Sequence, residues 1–574
     1  MAEVDIDKIV TPDGTTLNLK SGTRGTGEVD IDKISLPDGT ICNIKGSATP
    51  TLITKSITSN GTYYASNDNA DGYSSVTANV PNTYTSADNG KVVQNQQLVS
   101  QTARSSTITS NGTYTTTYNN SVTVSVPTPS TAFAVVRIKA PKNCYAEIYE
   151  GSTEVTYEHS DGRNDCVLKL YNPGTYRATT WQHDGSDIEF TVTQDDINSN
   201  KEFNFVVIYN KIYGVSWDPT DETSSMDRTD AAQEDSYGNP VPHVYTGSKN
   251  GYSYFDTTWP WCGIERVSFP DGNEMVKIPK YWYKVSKSNG ILKIQIAPYA
   301  ASGFNVSPAH ADRGDGYGER DYVYVGRYKC VNDTSVSANT YKSMSGKLPI
   351  NSRTKTTFRS GIKALGTGYY PSDFAMFWTI RFLYLVEFAD WDAQSTIGAG
   401  CGNGSSMDNT GLSDDMPYHT GTMQNSSSVY GSGVQYRWIE DLWSNVYEMV
   451  DGIYFSTSNK YVYVINNPAN FSNTSNGTTV ITTRPSSNGY ISDFALPTTS
   501  TSGFEYALFP SDVLSTASRV PDRYTYSTSG QQLITGGTYN ARQDHRGLFC
   551  MMTDSAASSS GATTGHRIMF LPNK

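Results

Sequence analysis

Charge is scarce in this chain. Asp, Glu, Lys and Arg make up 17 % of its 574 residues, against about 25 % in ordinary globular domains. The balance is a net −12, and Lys and Arg form no stripe or cluster. A nucleic-acid binder needs such a stripe to displace counterions from phosphates, so that class is excluded. Long apolar runs are also missing. The best, Phe374 to Leu385, contains Arg381 and falls short of the ~20 residues that cross a bilayer, so no membrane insertion is expected. The opening MAEVDIDKIV has no basic segment followed by an apolar one, and no signal peptide is expected. That suits a protein released by cell lysis and suits a cytosolic protein equally. The seven cysteines (42, 144, 166, 262, 330, 401, 550) are odd in number and scattered. Without a CxxC or a tight Cys/His cluster they do not predict zinc. Cys144 and Cys166 fall in one predicted β-module, where they either pair or stay as buried thiols. Seven histidines leave little material for imidazole chemistry.

Glycine, tyrosine and long Ser/Thr/Asn runs supply the polarity that charge does not. With 48 Gly and 40 Tyr, this is the composition of β-structure with many turns and a hydroxyl-rich surface. An aromatic content of 12 % argues against disorder. The length predicts several domains.

Two repeats open the chain. Val4 to Lys20 (VDIDKIVTPDGTTLNLK) returns as Val29 to Lys45 (VDIDKISLPDGTICNIK). Each alternates apolar and polar residues around Pro-Asp-Gly, which predicts a β-hairpin. Hairpins this small bury too little to stand alone, so residues 1–46 are expected to be an attachment segment. Ser56 to Pro81 is echoed by Thr107 to Pro127, each with Ser-Asn-Gly-Thr-Tyr and then a Val-rich strand ending at Pro. Residues 47–131 therefore read as a β-repeat stalk or spacer, or as flexible linkers. Residues 82–106 show no clear periodicity. Six short strand-like segments between residues 132 and 209, separated by turns such as Asn172-Pro173-Gly174, predict a β-sandwich module.

From residue 210 onward tryptophans recur, and Ser372 to Gly398 (SDFAMFWTIRFLYLVEFADWDAQSTIG) carries the chain's strong helix signal. Ala375, Trp378, Phe382 and Leu385 recur at helical spacing, with Ser372 or Asp373 as cap. Its apolar girth predicts a central core helix in which Arg381 and Glu387 either pair or sit at the edge. The expected fold class is multidomain, mainly β at the N-terminus, with an α+β C-terminal domain over 210–574.

Four segments of that domain carry a family resemblance: Val306 to His310 (VSPAH), Tyr324 to Lys329 (YVGRYK), Glu440 to Gly452 (EDLWSNVYEMVDG), and the ending Thr535 to Phe549 (TGGTYNARQDHRGLF) with Thr564 to Phe570 (TGHRIMF). Together they resemble formylglycine-generating-enzyme-like domains, a branch of the C-type lectin fold found in phage tail proteins. The N-terminal repeats resemble modules in tail proteins of phages that infect Gram-positive gut bacteria. The enzymes of this family use two closely spaced cysteines near the C-terminus. Here Cys550 is alone, with Cys401 next nearest in sequence, so formylglycine-generating activity is not expected.

The resemblance implies a structural calcium site formed by the Asp441 and Glu448 carboxylates and the Ser444 and Val446 carbonyls. The alternative is that Glu448 pairs with an arginine such as Arg437. The resemblance also places a binding face late in the chain, in some relatives diversified by a retroelement. Tyr539, Asn540, Arg542, Gln543, Asp544 and His545 are the candidate ligand-binding residues, with Ser555 to Ser560 as a second loop. Gly547, Phe549, Ile568 and Phe570 read as framework. The function implied is a receptor-binding protein at the tail tip of a virion, contacting a bacterial surface protein or glycan and other phage tail proteins. A homo-oligomer is expected, a trimer by analogy with tail fibres. The other readings are a structural tail or baseplate component, a bacterial surface adhesin, and a hydrolase of host polysaccharide.

Overall fold

The computed structural model describes residues 132–573 except 181–186, 234–237, 245–247, 334–339, 403, 425–431, 475–478, 498–502 and 518, together with the backbone of strands between residues 8 and 127. The protein is multidomain and largely β-sheet, and its C-terminal region mixes helices with strands. Two compact units divide it: Met1–Phe133 with Gln194–Lys201, and Ala134–Thr193 with Glu202–Lys574.

In the first unit both Pro-Asp-Gly repeats are hairpins. Lys8–Val10 pairs antiparallel with Thr16–Asn18, and Lys33–Ser35 with Ile41–Asn43. In the region of the second repeat, Gly61–Tyr64 pairs antiparallel with Ser75–Ala78, and a four-stranded sheet runs in the order Leu52–Ile57, Val122–Pro127, Lys91–Gln94, Gln97–Ser100. The hairpin at 91–100 lies in the stretch whose sequence showed no periodicity. Its four-residue strands are too short to display one.

In the second unit, the segment from Ala134 to Val206 forms two sheets, of three and four strands. Alternation is clear in two of the strands: Ala134–Lys139 buries every second residue, as does Cys166–Leu170. A seventh strand, Thr153–His159, escaped the sequence reading because it is exposed along nearly its whole length and so needs no apolar face. Cys144 and Cys166 are buried and form no disulfide with each other. Apart from Gln194–Lys201, this segment belongs to the same compact unit as the C-terminal region. Arg163 Nη2 donates to Tyr254 Oη at 2.7 Å, and the Lys142 ammonium lies 3.9 Å over the Tyr254 ring.

The C-terminal region is organised around the helix Phe374–Phe388, all fifteen residues of which are buried. Asp373 caps it by accepting from Met376 N at 2.9 Å. It ends at Ala389, in the left-handed region at φ 53°, and a separate short helix, Ala393–Thr396, follows. The continuous helix expected to Gly398 is thus broken. A helix apolar on every side must be enclosed on every side, and sheets surround it. Its polar atoms find distant partners: Trp261 Nε1 donates to Leu383 O, Tyr281 Oη to Thr379 O, and Trp378 Nε1 to Leu508 O. Arg381 and Glu387 do not pair with each other. Arg381 donates to Leu548 O at 2.7 Å, and Glu387 is bound by Arg437 at 2.5 Å.

The chain's end is threaded back into this region. Ile568–Phe570 pairs with both Tyr322–Gly326 and Tyr369–Pro371 in a five-stranded sheet. A seven-stranded sheet runs in the order Phe509–Leu514, Gly489–Ala495, Arg523–Tyr526, Gly547–Ser555, Gln532–Gly536, Tyr447–Val450, Thr564–Gly565. No helix among the described residues is long and apolar enough to cross a membrane.

Candidate ligand-binding face

The segment with the candidate ligand-binding residues is the turn between two central strands of the seven-stranded sheet, Gln532–Gly536 and Gly547–Ser555. Gly536 has φ +79°, and a Cβ there would stand 2.8 Å from the Leu442 carbonyl oxygen. A Cβ at Gly537 would stand 2.5 Å from the Arg546 side chain. The Gly-Gly pair is therefore a steric requirement of the turn.

Neighbouring segments hold the loop's backbone. Tyr539 N donates to Asn445 O at 2.8 Å, and Gly404 N donates to Tyr539 O at 2.7 Å. Gln394 Nε2 donates to Gln543 O at 3.0 Å and also to Arg546 O. A single turn, Gln543–His545, closes the loop. On this frame Asn540, Arg542 and Gln543 are exposed, whereas Tyr539, Asp544 and His545 are half-buried. The six candidates thus divide into three that face solvent and three that support them.

Asp544 is the loop's electrostatic hub. Its carboxylate accepts from Tyr490 Oη at 3.0 Å and lies 3.5 Å from Arg523 and 3.3 Å from Arg542. Burial pushes its carboxyl upward, but the Tyr490 hydroxyl, His545, Arg542 and Arg523 outweigh this and hold it below the ordinary range. Burial also lowers His545 from its usual value. Tyr490 and Arg523 were not among the sequence candidates. They face each other as register partners on adjacent strands, a relation no local pattern announces. Replacing Asp544 with alanine is expected to leave the melting temperature within about 2 °C, since these contacts are partly solvated. Hydrogen exchange over 539–545 should nonetheless accelerate clearly. Unchanged exchange would mean the backbone bonds alone fix the loop.

Of the second loop, Ser558 and Ser560 are exposed; Gly547, Phe549 and Ile568 are buried, and Phe570 half-buried. Cys401 and Cys550 are buried free thiols. Cys401 donates to Asp408 Oδ2 at 2.9 Å and Cys550 to His545 O at 3.7 Å. Burial raises both above the usual thiol value, which keeps them protonated.

The residues expected to hold calcium do converge, but on side-chain cations. The Lys329 ammonium donates to Ser444 O at 3.1 Å and to Val446 O. Glu448 accepts from Arg567 Nε at 3.0 Å; the arginine partner is therefore Arg567, not Arg437, which is bound to Glu387. Asp441 accepts from Ser444 Oγ at 2.7 Å and Asn445 Nδ2 at 3.2 Å. Burial raises the Glu448 carboxyl, but Arg567 and Lys329 prevail and hold it low. Burial lowers Lys329 to about 8 against the pull of Glu448 and Asp441, so it remains largely charged at neutral pH. These residues do not fit a calcium ion, because the named carbonyls and Glu448 already have cationic partners. Among the described residues no three His, Cys, Asp or Glu side chains converge as a metal site.

Elsewhere in this region a cleft of about 160 Å³ is lined by residues including Lys363, Tyr369, Tyr370 and Phe471. No protein-family model matches the chain, and no curated protein matches it in sequence.

Proposed function

We propose that this chain is the host-recognition protein of a bacteriophage tail tip, part of the virion. In this reading its C-terminal domain has the C-type lectin fold of the formylglycine-generating-enzyme-like branch. It binds a bacterial surface protein or glycan without catalysis. The N-terminal hairpins attach it to other tail proteins, as a homo-oligomer, a trimer by analogy with tail fibres. The observation that carries this reading is the loop itself: Asn540, Arg542 and Gln543 stand exposed on a backbone clamped by Asn445, Gly404 and Gln394. Such a surface lets side chains vary while the geometry of binding stays in place. Support for the fold assignment comes from Arg567, whose guanidinium joins Gly326, Arg327, Glu440, Asp441 and Glu448. Three of the segments that carry the resemblance meet at that one side chain.

The test is flow cytometry of labelled full-length protein on a panel of Gram-positive gut bacteria, beside a variant with Asn540, Arg542 and Gln543 changed to alanine. The changes lie outside the scaffold, so the variant should fold normally by circular dichroism. Strain-selective binding that falls about tenfold or more, equivalent to ~1.4 kcal/mol, is the expected result. Undiminished binding would move the site to the Lys363 and Tyr370 cleft or to the β-modules. Absence of binding to any strain would favour a structural tail or baseplate component.

A further inference from the structure

The loop from Asp441 to Glu448 is built around positive charge that the chain itself supplies. Its backbone is unusual: Asp441, Ser444 and Asn445 have φ of 53°, 119° and 60°, a region L-residues seldom enter. A backbone that turns this way leaves carbonyls outside any helix or strand, and each buried carbonyl needs a donor. Lys329, only 1 % exposed, meets that need for Ser444 and Val446, the carbonyls on either side of Asn445. Arg567 meets it for Glu440 and Asp441, at 2.7 and 3.3 Å. Asp441 and Glu448 stand with these two side-chain cations, beside Glu440, whose carboxyl burial and Asp441 push upward.

We propose that the Lys329 ammonium takes the place of a divalent cation in this loop, making the domain and its candidate binding face independent of calcium. Calcium requires six to eight oxygens at roughly 2.3–2.6 Å, whereas an ammonium is satisfied by three acceptors at hydrogen-bond distance. A divalent ion would also stand next to an ammonium that would repel it. The consequence reaches the surface through Asn445. Its carbonyl accepts from Tyr539 N at 2.8 Å and from Thr538 Oγ1 at 3.2 Å. Lys329 is therefore a positioning residue for the loop that bears Asn540, Arg542 and Gln543. The inference stands on the geometry of the 441–448 loop, whatever ligand the face takes.

The test compares thermal unfolding of the full chain after exhaustive dialysis against EDTA and after addition of millimolar calcium, with bound calcium measured by plasma mass spectrometry. The wild-type protein should hold no stoichiometric calcium and melt at the same temperature in both buffers. Lys329→Met, which keeps the volume and removes the charge, should melt roughly 5–10 °C lower, with no recovery in calcium. Lys329→Ala, which opens space beside the carbonyls, should be destabilised in EDTA and regain part of the loss in calcium. Stoichiometric calcium in the wild-type protein, or a lower wild-type melting temperature in EDTA, overturns the proposal even if neither variant folds. A Lys329→Met protein as stable as wild type overturns it too, as does an equal response of the two variants to calcium.

Discussion

Replacing Arg567 with methionine is expected to destabilise the C-terminal region by about 3–5 kcal/mol, the usual effect of breaking a buried ion pair. The side chain is fully buried and makes five hydrogen bonds: to Glu448 at 3.0 Å and to the carbonyls of Gly326, Arg327, Glu440 and Asp441 at 2.8, 2.9, 2.7 and 3.3 Å. Methionine fills part of the volume but leaves one carboxylate and four carbonyls without those donors, and each buried orphan carries its full desolvation penalty. Lysine in the same place should rescue little, because an ammonium cannot span acceptors arranged for a planar fork. Denaturant unfolding followed by the fluorescence of the buried Trp378, Trp391 and Trp443 measures the effect. Arg542→Met is the control. That arginine is 80 % exposed and its removal should leave the midpoint unchanged. A midpoint for Arg567→Met equal to wild type would show that the network contributes no net stability.

The second large effect is a response to acid carried by buried histidines. His310 and His566 are fully buried, and burial lowers each to about 4. As a neutral imidazole the His310 ring is fully satisfied: Nε2 donates to Ile278 O at 3.0 Å, and Nδ1 accepts from Ser307 Oγ at 2.7 Å. An unfolded histidine takes up its proton near pH 6.5, whereas these two do not until about pH 4. Over that window the unfolded state binds more protons, so stability falls as pH falls. The loss is on the order of 3 kcal/mol per imidazole, complete near the folded-state value. Glu440 works in the opposite sense, since burial and the neighbouring Asp441 push it up to about 7. The measurement that isolates histidine is therefore a difference. The stability gap between wild type and His310→Gln should shift by on the order of 3 kcal/mol in favour of the variant between pH 6.5 and 4. A gap that does not change with pH would show that His310 titrates normally.

Local physics made much of the scaffold legible. Pro-Asp-Gly turns flanked by alternating residues predicted the two N-terminal hairpins, and short segments separated by turns such as Asn172-Pro173-Gly174 predicted six strands between residues 132 and 209. The girth of the central helix was legible from neighbouring residues too, and its cap was narrowed to Ser372 or Asp373, of which the structure uses Asp373. The reading failed where an element had no face to bury, as in Thr153–His159, and where strands were too short to show a period, as at 91–100. Its helix boundary overran because the stop is Ala389 in a left-handed conformation, an uncommon choice for alanine that tertiary contacts must impose.

By itself the sequence determined the turns, the alternation, the apolar helix and the polar character of the 539–545 segment, all of which follow from neighbours within a few residues. Only the tertiary structure decided the partners. It brought Arg567 to Glu448, Lys329 to the Ser444 and Val446 carbonyls, and Tyr490 with Arg523 to Asp544. It also separated the exposed Asn540, Arg542 and Gln543 from the half-buried Tyr539, Asp544 and His545. The physical reason is that a buried charge accepts any opposite charge of suitable reach. Which one arrives is settled by strand register and chain return, which bring together residues far apart in sequence.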